Sequence, residues 1–191
     1  MIIVFTGNGK GKTTAALGQA VRVLGRGKRV LMIQFIKGPW ISGENEFVSR
    51  VKRHGVRVKE VDESLYKDLE NLYDFDIKKM GLGFVGILGD QLPREEHAKA
   101  AAKAFDFFEK ELKKDWDLII LDEINVAASL GLLDMSWILE ILKLVPEKKI
   151  VVLTGRDAPS EFIEVADLAT EMREIKHPFA KGKLGKINVE F

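Results

Sequence analysis

The residues best suited to chemistry lie in one short segment near the start of the chain. Residues 6–14 read Thr-Gly-Asn-Gly-Lys-Gly-Lys-Thr-Thr and follow an apolar run at 2–5. Glycines at such a turn let successive backbone N–H groups point into one concavity, where they bind phosphate oxygens. Lys12 adds a full positive charge, and the Thr13 hydroxyl is suited to a magnesium ion that bridges the phosphates. The predicted nucleotide-binding residues of this phosphate-binding loop are Gly7, Asn8, Gly9, Lys10, Gly11, Lys12, Thr13 and Thr14.

The loop is a variant of the usual pattern, in which a glycine and four residues precede Gly-Lys-Ser/Thr. Thr6 stands where the first glycine is expected, and an extra glycine follows at position 7. A glycine- and lysine-rich turn without a ligand is the alternative interpretation. The flanking pattern argues against that turn, because the apolar run at 2–5 predicts a strand and residues 15–21 predict a helix. The positive end of that helix would face the bound anion.

A second group of chemically active residues follows a buried strand pattern in the middle of the chain. Leu-Ile-Ile-Leu at 118–121 is followed by Asp122 and Glu123. A carboxylate at a strand end beside the loop can hold Mg²⁺ directly or through water, and the next acid can position or deprotonate an attacking group. An acidic strand end is a weak signal alone. Together with the loop it predicts a magnesium–nucleotide site, with Thr13, Asp122 and Glu123 as metal-binding residues.

Two further positions each have two open interpretations. Arg156 follows a predicted strand at 149–155, on the same rim, and is either a nucleotide-binding residue or the exposed arginine of a turn. Phe84 lies in a glycine-rich segment, residues 81–89, which we expect to form a loop that covers a ligand. Its ring is either a buried anchor, which the pattern alone favours, or a surface that stacks on a flat ligand.

The elements that must position these groups alternate along the chain. Predicted strands cover residues 2–5, 29–35, 56–61, 116–123, 149–155 and 171–175, and predicted helices cover residues 15–21, 44–53, 62–79, 94–114, 134–145 and 159–166. This alternation predicts an α/β fold with a mainly parallel sheet, helices on both faces and the ligand at the carboxyl ends of the strands. We see no linker or repeat, so residues 1–191 are expected to form one domain, with an insertion near 62–80.

The composition excludes several classes of function. Thirty Lys and Arg residues against 29 Asp and Glu leave a net charge of +1, so we expect neither nucleic acid nor membrane as a partner. The absence of cysteine excludes disulfides, thiolate nucleophiles and cysteine zinc sites. The isolated histidines at 54, 97 and 177 are expected to be solvated or capped rather than metal ligands. No signal peptide or membrane-spanning run is evident, so a cytoplasmic protein is expected.

Several separated motifs together resemble the ATP:corrinoid adenosyltransferases of cobalamin salvage and biosynthesis, over nearly the whole chain. Residues 4–18 are similar to the loop of that family, including its missing first glycine. Gln-Phe-Ile-Lys-Gly-Pro-Trp at 34–40, followed by Gly43 and Glu44, is similar to a second motif. Further matching segments fall in the expected order at residues 121–123, 153–156, 166–167 and 176–179.

The resemblance implies a homodimeric, RecA-like enzyme that transfers the 5′-deoxyadenosyl group of ATP to the cobalt of a reduced corrinoid and releases triphosphate. It implies that the nucleotide lies reversed in the loop and that Mg²⁺ or Mn²⁺ is the metal, and it makes a flavoprotein one candidate for the electron donor, which the sequence does not identify. Lys12 and Glu123 are the implied catalytic residues beside the phosphates. Phe84 is the implied catalytic ring that presses on the lower face of the corrin and keeps cobalt four-coordinate for reduction.

Three segments depart from the family pattern. The family stretch Gly-Phe-Thr-Trp is Gly-Phe-Val-Gly here, so Gly86 stands where tryptophan is expected. Residues 62–78 lengthen the preceding region, and residues 186–191 differ from the family ending. An aromatic residue of the longer region, Tyr66, Tyr73 or Phe75, is a hypothetical replacement for the missing ring.

Two other functions remain compatible with the nucleotide-binding motifs. A RecA-like ATPase or ATP-gated interaction protein would use Glu123 to activate water and would release ADP and phosphate. A small-molecule kinase would transfer the γ-phosphate, and it usually needs a mobile arginine-bearing lid, for which Arg94 and Arg156 form no recognisable pattern. The products therefore distinguish the three reactions: the adenosyltransferase releases triphosphate, the ATPase releases phosphate and ADP, and the kinase forms a phosphorylated metabolite.

Overall fold

A computed structural model of the chain describes residues 1–38, 42–54, 74–87, 89–178 and 182, without the side chains of residues 53 and 54. The described strands are β1 (Ile2–Thr6), β2 (Val30–Gln34), β3 (Phe75–Lys79), β4 (Leu118–Asp122), β5 (Ile150–Thr154) and β6 (Leu168–Glu171). The described helices are α1 (Lys12–Leu24), α2 (Gly43–His54), α3 (Arg94–Leu112), α4 (Ile124–Ser129), α5 (Met135–Lys143) and α6 (Ser160–Val165).

The six strands form one sheet in the order β3-β2-β4-β5-β1-β6. Every described pairing is parallel, so the carboxyl ends of all the strands meet at one rim. Strand β5 lies between β1 and β4, which places the phosphate-binding loop and Asp122 on either side of the β5 end. The α/β fold with a mainly parallel sheet, predicted from the alternation of strand and helix patterns, is confirmed.

Helices cover both faces of the sheet, as predicted. On β4, Ile119 and Leu121 pack into one hydrophobic core, and Leu118 and Ile120 pack into the other. This alternation follows from the two-residue period of a strand. The first core receives α3, α4, α5 and α6, and the second receives α1 and α2. Both faces are thereby buried, which explains why the central strands read as continuous apolar runs.

The spacing of apolar residues explains which helix face is buried. Helix α1 buries Ala16, Ala20 and Val23, which share one face at a helical period. Helix α3 buries a longer stripe of the same kind. Glu95 and Glu96 lie in its first turn, where carboxylates favour the positive end of the helix dipole. None of the described helices is long and apolar enough to cross a lipid bilayer.

Two predictions of secondary structure are wrong. Residues 75–79 were predicted to belong to a helix but form β3, paired in register with β2 from Val30 and Phe75 onward. Pairing with a buried strand outweighs the local helical period here. The strand predicted at 171–175 lies earlier, at Leu168–Glu171, because its register with β1 begins at Ile3. Helix α4 was not predicted, since it is short and begins directly after Asp122 and Glu123.

Other predictions fall on residues outside the described part of the chain. These are the strand at 56–61, most of the insertion near 62–80, and the aromatic residues Tyr66 and Tyr73. Phe75, the third hypothetical replacement ring, is buried in the second core and cannot serve as a ligand surface. The expectation of a single domain stays a prediction.

Candidate active site

The phosphate-binding loop connects β1 to α1, as predicted. Gly7 and Gly11 have φ angles of 95° and 111°, in the left-handed region that favours glycine. Helix α1 begins at Lys12, so the side chains of Lys12 and Thr13 and the positive end of a 13-residue helix lie at the same place. The local sequence therefore forms the anion-binding geometry that its glycines predict.

The side chain of Lys12 is buried within the phosphate-binding loop. Its ammonium group donates hydrogen bonds to the carbonyl oxygens of Gly7, at 2.7 Å, and Gly9, at 2.8 Å, and only 7% of the residue is exposed. Burial lowers the pKa of Lys12, opposed by the charge of Glu123. The ammonium group is already oriented toward the concavity of the loop, where a phosphate would offer it stronger acceptors.

A distant segment closes one side of the loop. The N–H group of Gly9 donates to the carbonyl oxygen of Met172 at 2.6 Å, and the N–H group of Met172 donates to the carbonyl oxygen of Thr6 at 2.8 Å. A side chain at Gly7 or Gly9 would overlap with the backbone at Met172 or Arg173. The glycines at 7 and 9 are thus required by the close approach of the chain after β6, which the local sequence does not reveal.

Asp122 is the centre of the hydrogen-bond network at the strand ends and is completely buried. Its Oδ1 atom accepts hydrogen bonds from the hydroxyl groups of Thr13 and Thr154, both at 2.8 Å. Its Oδ2 atom accepts from Nε2 of Gln34 at 3.3 Å, and Nζ of Lys37 lies 3.8 Å away. The structure therefore joins Thr13 to Asp122, the pairing that the two sequence motifs predicted.

Glu123 has a strained backbone and a perturbed carboxyl group. Its φ angle is 65°, in the left-handed region, and its N–H group donates to the hydroxyl of Thr154 at 3.0 Å. Burial, followed by the charge of Asp122, raises the pKa of Glu123 to about 7. Strain and a raised pKa together are typical of functional sites rather than of structural carboxylates.

This environment predicts how stability depends on pH. Between the ordinary pKa of 4.5 and about 7, the unfolded chain loses the Glu123 proton while the folded chain keeps it, so rising pH destabilises the fold. We expect Glu123→Gln to match the wild type near pH ~4 and to be more stable by roughly 1–3 kcal/mol near pH ~8. Urea unfolding with EDTA across this range measures the difference, with exposed Glu140→Gln as the control. Equal curves for Glu123→Gln and the wild type would contradict the assigned environment.

The remaining predicted nucleotide-binding residues surround the loop. Asn8, Lys10 and Thr14 are exposed at its surface. Arg156 is exposed just after β5. Burial has the largest effect on both neighbouring groups: it lowers the pKa of Lys12 and raises the pKa of Glu123. The positive charge of Arg156 lowers both pKa values. Arg156 is therefore exposed, as the turn interpretation expected, and also close enough to the site to act on a bound anion.

Sequence reasoning missed a buried network beside Asp122. Gln34 at the end of β2 donates through Nε2 to Glu44 as well as to Asp122, and Lys37 forms an ion pair with Glu44. Although burial acts in the opposite direction, the hydrogen bond and charge of Lys37 lower the pKa of Glu44 to about 2. These residues were part of the family motif but had no assigned role. The available signal was a polar residue, Gln34, ending an otherwise apolar strand.

Another missed residue joins the ends of two strands. Asn125 is completely buried in the first turn of α4, and its Nδ2 atom donates to the carbonyl oxygens of Phe5 and Gly155. It thus holds the end of β1 beside the end of β5. A side chain at Gly155 would press against Asn125 and Glu123, so that position requires glycine.

The glycine-rich segment forms no regular helix or strand over its described residues, as predicted. Phe84 is 42% exposed, so the interpretation of its ring as a buried anchor is wrong. The neighbouring Val85 packs against the first core and Gly83 is buried, so these residues anchor the segment instead. Phe84 is left on the surface side of a loop that begins at the sheet rim carrying Asp122.

The backbone of Gly86 explains why a side chain is unfavourable there. Its φ angle is 70°, and a Cβ atom would meet nothing within 4 Å. We therefore expect Gly86→Trp, which restores the residue of the resembling family, and Gly86→Ala to be destabilised equally, by about 1–2 kcal/mol, through backbone conformation. Urea unfolding of both variants tests this. Gly18→Ala, also in open space but within helix α1, should instead gain about 0.5–1 kcal/mol. A fully stable Gly86→Trp protein would contradict the explanation.

The donor chemistry fits a magnesium ion that binds together with a triphosphate. The site offers the hydroxyl of Thr13 and the carboxylates of Asp122 and Glu123, all hard oxygen ligands. Among the described residues, no group of three or more His, Cys, Asp or Glu side chains is arranged to hold a metal ion. Oxygen ligands from a nucleotide would therefore have to complete the coordination, which is how Mg²⁺ usually binds in phosphate-transfer sites.

A family model and several sequence relatives match the full chain. The family model described as "ATP:corrinoid adenosyltransferase BtuR/CobO/CobP" matches residues 1–191. A corrinoid adenosyltransferase from Escherichia coli (strain K12) is 32% identical over 192 residues, covering 100% of this chain and 85% of the relative. One from Sinorhizobium sp is 37% identical over 194 residues, covering 100% and 80%. Among solved structures, the RadB recombinase aligns with 81% of this chain and 60% of its own, at a TM-score of 0.37 and 15% identity.

Proposed function

The chain belongs to the ATP:corrinoid adenosyltransferase family, and we propose that its phosphate-binding loop and the Asp122–Glu123 pair hold the triphosphate that leaves in the reaction. The enzyme transfers the 5′-deoxyadenosyl group of ATP to the cobalt of a reduced corrinoid. The observation that carries the residue assignment is the hydrogen bond from Thr13 to the buried Asp122, which links the loop to the carboxylates.

The reaction needs no nucleophile from the protein. The electron pair of Co(I) forms the bond to C5′, and the bond between C5′ and the α-phosphate oxygen breaks. Its electron pair leaves on triphosphate, and cobalt is formally oxidised from Co(I) to Co(III). The protein must therefore align C5′ with cobalt and stabilise the charge that grows on the departing triphosphate. The absence of cysteine is compatible with this chemistry.

The described residues suit these two tasks. Lys12 and the N–H groups of the loop would bind the triphosphate oxygens, with Gly7, Asn8, Gly9, Lys10, Gly11 and Thr14 lining the concavity. Arg156 would add a second positive charge from the end of β5. Phe84 would place its ring against the corrin.

We also propose Mg²⁺ or Mn²⁺ as the metal, held by Thr13 together with Asp122 and Glu123, directly or through water. When bound, this ion would neutralise charge on the triphosphate and make it a better leaving group. Asp122 already accepts two hydroxyl hydrogen bonds through Oδ1, so it would orient the Thr13 hydroxyl toward the ion. Asp122 is completely buried and Glu123 is partly exposed, so the Glu123 carboxylate is the more accessible of the two acids.

Three broader proposals rest on family membership. The enzyme would act as a homodimer, receive electrons from a flavoprotein that reduces Co(II) to Co(I), and work in the cytoplasm, where ATP and reductant are available. A sedimentation measurement of the native mass tests the first of these. Among the described strands, β6 lies at one edge of the sheet, and all four of its residues are exposed.

The experiment that tests the proposed function is anaerobic. The protein is mixed with Mg-ATP and chemically reduced cob(I)alamin, and the corrin spectrum is followed in the dark and after illumination. We expect a light-sensitive product with a Co–C bond. No spectral change, with ADP and phosphate accumulating, would contradict the function and favour the ATPase alternative; a phosphorylated metabolite would favour a kinase.

A further inference from the structure

A buried histidine pairs with a partly buried aspartate beside the glycine-rich loop, outside the nucleotide site. Nε2 of His97, in helix α3, lies 3.0 Å from Oδ2 of Asp90, and His97 is only 4% exposed. Of the two alternatives expected for this histidine, solvated or capped, its burial excludes the first. Its position in the first turns of α3 directs the ring to the carboxylate, and a buried imidazole requires such a polar partner.

The carboxylate of Asp90 joins the loop to the beginning of α3. It accepts hydrogen bonds from the N–H group of Gly86 at 2.8 Å and from that of Leu92 at 3.1 Å. The Asp90 N–H group in turn donates to the carbonyl oxygen of Ile87 at 3.1 Å. These backbone hydrogen bonds, that of Gly86 above all, lower the pKa of Asp90, which agrees with an ionised acceptor.

The other end of the loop is fixed by the sheet. The N–H groups of Met80 and Gly81 both donate to the carbonyl oxygen of Gln34 at 3.0 Å, and a side chain at Gly81 would overlap with the backbone of Phe35. Val85 packs into the first core between the two attachments. Residues 81–87, here called the apolar loop, are therefore held at both ends and in the middle.

The apolar loop presents large side chains outward. Leu82, Phe84 and Ile87 are all exposed, and Phe84 lies one residue before the partly buried Val85 and two before the Gly86 N–H group that Asp90 holds. Ordering such a loop only when a ligand binds would cost binding free energy, whereas a loop already held in place avoids that cost.

We propose that Asp90, oriented by His97, is a positioning residue for the corrinoid step, because it fixes the apolar loop that carries Phe84. This inference rests on the proposed function of Phe84. Asp90 touches neither substrate in this proposal; it acts through the Gly86 N–H group. By fixing the backbone two residues after Phe84, Asp90 limits the movement of the Phe84 ring and so compensates in part for the missing tryptophan.

Two measurements on Asp90→Ala test the proposal. Amide hydrogen exchange of the ligand-free protein should show faster exchange in peptides covering residues 81–87. With chemically reduced cob(I)alamin and Mg-ATP, kcat/KM for the corrinoid should fall by about 10- to 100-fold, while KM for ATP stays within about twofold. Asp134→Ala is the matched control, because its carboxylate, like that of Asp90, accepts a backbone N–H hydrogen bond, in this case from Trp137 in helix α5. It should change neither quantity.

Variants of His97 test the same proposal if Asp90→Ala does not fold. His97→Gln keeps a side-chain N–H donor and should retain most of the corrinoid kcat/KM, whereas His97→Leu should lose it as Asp90→Ala does. If Phe84→Ala lowers the corrinoid kcat/KM but Asp90→Ala or His97→Leu leaves it unchanged, the inference about Asp90 is overturned and the proposed function is not. A wild-type protein that forms no Co–C bond would instead overturn the proposed function. Loop exchange that matches the wild type in Asp90→Ala and His97→Leu would also overturn the inference.

Discussion

Replacing Lys12 with methionine is expected to lower kcat/KM for ATP by about a thousandfold, equivalent to roughly 4 kcal/mol of transition-state stabilisation. Methionine has a similar length but no charge, so it cannot stabilise the triphosphate as the C5′–O bond breaks. Stability should change by no more than about 1 kcal/mol, because the lost hydrogen bonds to Gly7 and Gly9 are offset by removal of a buried charge. Steady-state kinetics with cob(I)alamin and urea unfolding measure the two effects.

The control for this substitution is Lys103→Met, on the exposed face of helix α3. It removes the same charge from the protein and should leave both kinetics and stability near the wild-type values. If Lys12→Met kept its kcat/KM within about tenfold of the wild type, the loop would not be where the triphosphate leaves. A large loss of stability in Lys12→Met would instead make the kinetic result uninformative, and far-UV circular dichroism distinguishes that case.

Replacing Asp122 should affect both stability and activity. Asp122→Ala leaves the hydroxyl donors of Thr13 and Thr154 without their acceptor and removes one of the two acceptors of Gln34, so we expect the free energy of unfolding to fall by about 3–5 kcal/mol. Asp122→Asn preserves the volume and part of the hydrogen bonding, and should lose less, about 1–3 kcal/mol. Its kcat/KM should still fall by roughly 100-fold or more, because the Thr13 hydroxyl is no longer held by a charged acceptor.

A matched control exists just before the same strand. Asp117 lies just before β4, where its carboxylate accepts from the N–H group of Arg29 at 3.0 Å and pairs with Lys28. Asp117→Asn thus weakens a carboxylate contact at the opposite end of the sheet and should leave kcat/KM unchanged. Full activity in a destabilised Asp122→Asn protein would show that Asp122 only supports the fold.

The parts of the site that could be predicted from sequence depend on local spacing. The loop was predictable because glycine, Lys12 and Thr13 act within a few residues of each other. Asp122 was predictable because an apolar run ending in acids predicts a buried strand and its rim. The pairing of Thr13 with Asp122 followed from the parallel sheet, in which strand ends meet.

The parts that could not be predicted depend on contacts between distant segments. Nothing near Gly9 indicates that Met172 accepts its N–H hydrogen bond. The network of Gln34 with Asp122 exists because β2 and β4 are neighbours in the sheet, although other elements separate them along the chain. Phe75 shows the same limit: the local helical period gave no sign of the strand register that buries it.

The pair of Asp90 and His97 illustrates a different limit. Each residue is unremarkable in the sequence, since seven positions separate them and neither belongs to a known ligand spacing. Their contact depends on how the chain turns between Asp90 and the start of helix α3 at Arg94. The sequence could show that the family tryptophan is missing at Gly86, but only the backbone shows that Asp90 holds that position.

The decisive quantity is the amount of inorganic triphosphate released for each Co–C bond formed, measured with ATP labelled in its γ-phosphate and anaerobic cob(I)alamin. We expect equal amounts, with the label in intact triphosphate, because the loop and the Asp122–Glu123 pair are proposed to hold a whole triphosphate as leaving group. Label recovered as inorganic phosphate beside ADP, or in a phosphorylated acceptor, without the alkylated corrinoid, would show that triphosphate is not the leaving group.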